Sequence, residues 1–94
     1  MSYEDDLRRG QLAEAVLTNE VYADAYSKIE HGILSAWRES GDAAEREQLH
    51  KLLKLLGKVQ NIMESTMRSG QIAAKELERK KSLSERVGLK RPQL

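Results

Sequence analysis

Apolar residues in the second half of the chain keep a seven-residue register. Leu49, Leu56, Met63, Gly70 and Leu77 fall in one column, and Leu52, Val59, Thr66 and Ala73 in a companion column. Two such columns, three and four residues apart, form the seam of a coiled-coil-like helix. Upstream, Leu12, Asn19, Tyr26 and Ile33 make one matching column and Ala15, Tyr22, Ile29 and Ala36 the other. A tight antiparallel pairing of the two stretches sets Ile33 opposite Leu49, Tyr26 opposite Leu56 and Leu12 opposite Gly70, with large facing small at the open end.

The punctuation between these stretches divides the chain into helices. Ser40-Gly41-Asp42 offers a glycine able to take the left-handed conformation at a helix C-terminus, then Asp42 as N-cap with Glu45 placed to close a capping box. At Thr18-Asn19, two residues competent as N-caps precede Glu20, an acid in a first-turn position that suits the helix dipole. The only proline is Pro92, and no segment alternates in the manner of a strand. The expectation is an all-α protein, a long antiparallel helical hairpin with a short N-terminal helix: helices over about 3–17, 20–40 and 43–81 within a hairpin domain spanning 1–81. Residues 82–94, with Ser82, Ser84, Gly88 and Pro92 among bases, read as a flexible basic tail.

The second helix carries more apolar surface than one partner covers. Leu53, Leu55 and Ile62 widen the arc between Leu49 and Met63 to four of seven columns, whereas one neighbouring helix covers about two or three. A chain of 94 residues with only 4% aromatic content builds a thin aliphatic core. Self-association or docking on a larger protein is therefore expected. The candidate interface comprises Leu49, Leu52, Leu53, Leu55, Leu56, Ile62 and Met63, joined by Tyr22, Tyr26 and Trp37, since tryptophan and tyrosine dominate binding hot spots. Trp37 also reads as a hydrophobic plug over the turn.

Charge adds an asymmetry. Residues 1–47 hold five bases against eleven acids, a net −6, and residues 48–94 hold eleven bases against four acids, a net +7. Two antiparallel helices of opposite sign would attract and set their own pairing. The same asymmetry concentrates Lys75, Arg79, Lys80, Lys81, Arg86, Lys90 and Arg91 near the C-terminus, where they are candidates for phosphate or protein contact. Glu76, Glu78 and Glu85 dilute that cluster, and no aromatic is interleaved to stack on bases. His50, Lys51, Lys54 and Lys58 line the polar side of the leucine-rich stretch, as on a membrane-surface helix or as the solvated face of a hairpin; the heptad register continuing beyond them favours the hairpin. No stretch approaches the ~20 apolar residues of a membrane span.

Little in the chain points to chemistry. Cysteine is absent, which removes disulfides and thiolate sites and fits a reducing compartment. His31 and His50 come near each other across a tight turn, but both fall on outward columns with no carboxylate at a chelating offset. The six glycines are scattered singly, giving no phosphate-cradling loop. A two-helix rod supplies no concave, dry pocket in which to tune a catalytic group. The expectation is a protein without enzymatic activity or cofactor.

The order of features, Ala15-Val16-Leu17-Thr18-Asn19-Glu20, then Tyr22 to Tyr26, Ile33-Leu34-Ser35-Ala36-Trp37-Arg38, the turn, Arg46-Glu47-Gln48-Leu49, and Met67-Arg68-Ser69-Gly70-Gln71-Ile72-Ala73, resembles small helical proteins of tailed bacteriophages and prophages encoded near the head, portal and packaging genes. The resemblance spans roughly 12–78; Glu20 stands where those proteins often carry a proline. It implies a virion or assembly role and transfers no catalytic residue. The leading expectation is a structural or assembly protein of the host cytoplasm or the virion that binds further copies of itself through the Leu49 to Met63 surface and engages a capsid, portal or scaffold protein through its basic tail. A DNA-binding packaging component of small-terminase type and an inhibitor docking on a host protein are the alternatives.

Overall fold

The computed structural model describes residues 2–88. They form three helices, α1 (Tyr3–Leu17), α2 (Glu20–Glu39) and α3 (Ala43–Gly88). With a rise of about 1.5 Å per residue, α3 alone is roughly 69 Å long, and it sets the 79 Å long axis of a rod only 24 Å by 15 Å across. α1 and α2 lie end to end, antiparallel to α3, α1 along its C-terminal half and α2 along its N-terminal half.

The helix starts follow from capping chemistry. The Ser2 hydroxyl accepts from the Asp5 N–H at 3.1 Å, and Glu4, Asp5 and Asp6 occupy the first turn, where the helix dipole favours acids. Asn19 Oδ1 accepts from the Tyr22 N–H at 2.9 Å and opens α2. Asp42 Oδ1 accepts from the Ala44 N–H at 3.1 Å and opens α3, while the Asp42 N–H donates to the Ser40 hydroxyl at 3.2 Å, so Ser40 fills the role expected of Glu45. Gly41 does not take the left-handed conformation, since no glycine among the described residues has positive φ. The carbonyls that a left-handed cap would satisfy are taken by Arg46, whose Nη1 donates to Trp37 O at 2.7 Å and Ser40 O at 3.1 Å.

α3 runs to Gly88, past the end expected at Lys81. Serine costs a helix only a few tenths of a kcal/mol, so Ser82 and Ser84 do not stop it. Within the segment read as a tail, residues 82–88 are thus helical; the rest lies outside the described residues, with Lys90 and Arg91.

The hairpin register pairs Tyr26 with Leu56, the phenol donating to the Leu56 carbonyl at 3.2 Å, and Tyr22 with Gln60, whose Oε1 receives the phenol at 3.3 Å. Half-buried and buried positions on α3 recur at steps of three and four: Arg46, Leu49, Leu53, Leu56, Gln60, Met63, Met67, Gly70, Ala74 and Leu77. The column headed by Leu49 is as expected, but its companion is the one holding Leu53, Gln60 and Met67. The column of Leu52 and Val59 turns outward, rejoining the seam only at Thr66 and Ala73 beside α1. On α2 Ile29 likewise turns out and Glu30 turns in. A polar residue at a seam position is tolerable when hydrogen-bonded, and Gln60 both receives Tyr22 and donates to Glu64 at 3.3 Å.

The pairing of Leu12 with Gly70 does not occur. The non-helical link at Thr18-Asn19 shifts α1 along α3, so Gly10 meets Gly70 and Leu12 faces solvent at 55% exposure. A Cβ added to Gly10 would stand 2.6 Å from the Gly70 Cα, and one on Gly70 would stand 2.7 Å from the Gly10 Cα. The backbones touch, a close approach that only small residues permit. Ala13 and Ala73, one turn on from each glycine, are the only apolar side chains buried among the described residues. The three ion pairs there, Lys28–Asp24, Lys51–Glu47 and Arg79–Glu76, each lie within one helix. The attraction expected between the oppositely charged halves therefore takes no salt-bridge form between helices among the described residues.

Candidate interaction surface

The turn is held by a clasp. The Arg46 guanidinium lies 3.8 Å from the centre of the Trp37 ring while donating to the α2 carbonyls. A flat cation over an aromatic face gains electrostatic attraction as well as packing. Trp37 thereby covers the closed end, bound to Arg46. It also borders a groove with Ile33, Leu34, Leu49, His50 and Leu53, in which His50 is the one titratable group. Among the described residues no group of three or more histidines and carboxylates is gathered as a metal site.

The tyrosines belong to the seam. The rings of Tyr22 and Tyr26 sit 6.2 Å apart, tilted by 42°, beside Gln60 and Leu56. Burial first, and the negative charge of Glu30, Tyr22 and Glu64 after it, push the Tyr26 phenol above its ordinary 10.0. Leu49, Leu53, Leu56 and Met63 are half-buried between α2 and α3. Of the ten residues singled out from sequence, seven therefore belong to the hairpin's own packing or to its turn.

The other three stay outside it. Leu52, Leu55 and Ile62 are 52%, 59% and 60% exposed, and Val59 joins them at 46%. Steps of three, four and three residues align the four side chains as a second apolar stripe on α3. Ile29 of α2, 52% exposed, lies beside Leu52, Leu55 and Val59 along one groove. Lys51, Lys54 and Lys58 border the outer edge of this face. The heptad columns place Val59 and Ile29 in the seam, whereas both face outward. The signal that could have placed them is Gln60: its pairing with Tyr22 draws the Leu53-Gln60-Met67 column inward and rotates its neighbour out.

The basic end separates into parts. Arg79 donates to Glu76 Oε2 through Nε at 3.2 Å and Nη2 at 2.9 Å, and that hydrogen bond first, with the carboxylate's charge second, raises its pKa. Lys80 turns to Tyr3, its Nζ 4.9 Å from the ring centre. Lys75, Arg79 and Arg86, at helical intervals from Arg68, share the exposed side of α3 opposite Gly70 and α1, whereas Lys81 falls on another side. No described helix is long and apolar enough to cross a membrane.

No family model, curated protein or solved structure matches the chain.

Proposed function

We propose that this chain is a non-enzymatic assembly protein of a tailed bacteriophage, acting by oligomerisation and protein–protein binding in the head and portal region. The observation that carries the reading is the exposed stripe of Leu52, Leu55, Val59 and Ile62 with Ile29 beside it. The rod exposes 7566 Å², against about 5,500 Å² for a compact monomer of its mass. Contiguous apolar surface of this kind on a thin rod supports the reading of a protein-binding face. The order of elements about Trp37, Arg46 and Gly70, similar to that of small phage helical proteins, supports the setting: host cytoplasm during assembly, with capsid, portal or scaffold proteins as partners and the virion as the destination.

Its mechanism is interface formation. The hairpin seam and the Arg46 clasp hold α2 and α3 rigid, so the exposed aliphatic side chains are presented with little ordering cost on binding. The test is genetic and biochemical together. A phage carrying Leu55→Asp in this gene should yield folded protein that no longer sediments with heads or procapsids, and fewer complete particles. Unchanged particle yield and unchanged co-sedimentation would overturn the reading.

A second reading, a DNA-binding packaging component of small-terminase type, is favoured by the side of α3 shared by Arg68, Lys75, Arg79 and Arg86. It requires retention on duplex DNA that falls steeply with salt, and loses its basis if retention is absent at low salt.

A further inference from the structure

The exposed apolar face has a symmetry of its own. On α3, Leu55 and Val59 stand two residues to either side of Gly57, and Leu52 and Ile62 stand five residues to either side. On α2, Val21, 78% exposed, and Ile29 stand four residues to either side of Ala25. The two centres share one level along the rod, because the register that sets Tyr22 beside Gln60 and Tyr26 beside Leu56 also sets Ala25 level with Gly57. Turned by half a rotation about an axis lying in that face through this level, the pattern falls on itself. Leu52 then meets Ile62 of the second copy, Leu55 meets Val59, Val21 meets Ile29, and Ala25 meets Ala25.

We infer that the occupant of this face is a second copy of the chain, docked as an antiparallel two-fold dimer whose axis passes between the two Ala25 residues. The inference rests on the reading of the face as a binding surface and adds the partner and the geometry. A two-fold interface must be self-complementary, each residue i meeting j and each j meeting i, and the spacing on both helices meets that condition. A foreign partner would impose no such condition. The six aliphatic side chains leave roughly 500 Å² of apolar surface, a large part of the ~800 Å² that one partner gives to a stable interface. Alanine at the axis lets α2 and its mate approach closely, as small residues do at helix crossings.

The arrangement carries a signature in salt. Stacking α3 on its mate places Lys51, Lys54 and Lys58 of both copies along the same edge, so added salt screens their repulsion and tightens the dimer. A two-fold axis running along the helices would instead set Lys58 level with Asp24 of the other copy, and salt would loosen it.

The test uses the absence of cysteine in the chain. Ala25→Cys in the full chain should form an intermolecular disulfide under mild oxidation, because its Cα falls near its mate within bonding range, while Ala23→Cys, on another side of α2, should not. In parallel, sedimentation equilibrium on the unmodified protein should give twice the chain mass, tightening with salt, and Leu55→Asp should weaken association on the order of 100-fold. A dimer in which Ala25→Cys fails to cross-link, or which loosens with salt, overturns this geometry and leaves the face a binding surface. A folded monomer overturns self-association, and loss of head sedimentation by Leu55→Asp in the phage would then still support binding of another protein there.

Discussion

Glycine-to-alanine substitutions should have opposite signs at positions that share a helix. Gly57 lies inside α3 with nothing within 4 Å of where a Cβ would stand. Alanine there gains the helix propensity that glycine lacks, about 1 kcal/mol, and should raise the melting temperature by roughly 4–8 °C for a domain of this size. Gly70 lies in the same helix, where the added Cβ would stand 2.7 Å from the Gly10 Cα and 3.0 Å from the Asp6 carbonyl oxygen. Carbon atoms pack at about 3.5–4.0 Å, and both neighbours are backbone, so α1 must lift by about 1 Å. That lift loosens the α1–α3 contact on both sides of the glycines, where Ala13 and Ala73 are buried, and overpacking of this kind costs about 1–3 kcal/mol. Set against the propensity gain, Gly70→Ala should be destabilising or neutral, and it should stand about 1–3 kcal/mol below Gly57→Ala. Gly10→Ala should behave as Gly70→Ala does. The double variant should lose less than the sum of the two singles, because the first has already opened the contact. Urea denaturation followed by circular dichroism at one fixed protein concentration reads stability, and amide exchange in α1 reads its docking. If Gly10→Ala and Gly70→Ala stabilise as much as Gly57→Ala, the backbone contact is refuted.

Three further outcomes follow from particular contacts. Arg46→Gln should cost about 1–3 kcal/mol through lost charge-assisted hydrogen bonds and ring stacking, with a change in Trp37 fluorescence; an unchanged emission spectrum and melting temperature would refute the clasp. Tyr26→Phe should cost about 0.5–1.5 kcal/mol by removing the hydrogen bond to the Leu56 carbonyl, as measured by urea denaturation. Because the folded state raises the Tyr26 pKa, the unfolded chain gives up this proton first as the solution turns alkaline. The contribution is therefore complete below the unfolded value of about 10 and is lost as pH rises through the folded one. A phenolate absorbance titration should show a step above the unfolded value, and that step should vanish in Tyr26→Phe.

What the sequence disclosed depended on how chemically specific each signal was. Helix starts were legible because Asn19 and Asp42 each offer a side-chain acceptor immediately before a helical run. The end of α3 was less so, because Ser82 and Ser84 resemble loop residues yet cost a helix little. The Leu49 column was plain, but α3 is apolar on both sides of it, and either neighbour could serve as companion. Arg46 and Gln60 interrupt the true companion, and they become acceptable only once the α2 carbonyls and Tyr22 are set against them. The α1 register depended on how much chain the Thr18-Asn19 link consumes, a geometric quantity that heptad counting carries straight through. A clue to it was present in the pattern, since Gly10-Ala13 and Gly70-Ala73 share one spacing of small residues. The apolar surplus on α3 was visible as a count of columns. Which of those columns stays exposed required the seam.

The central claim, that the Leu52 to Ile62 face is a binding surface filled by a second copy, is tested most directly by light scattering of the purified chain over a range of concentrations. The account predicts a mass approaching twice 10.7 kDa as concentration rises, and a mass near 10.7 kDa for folded Leu55→Asp under the same conditions. A helical, well-folded protein that stays at 10.7 kDa throughout would contradict it.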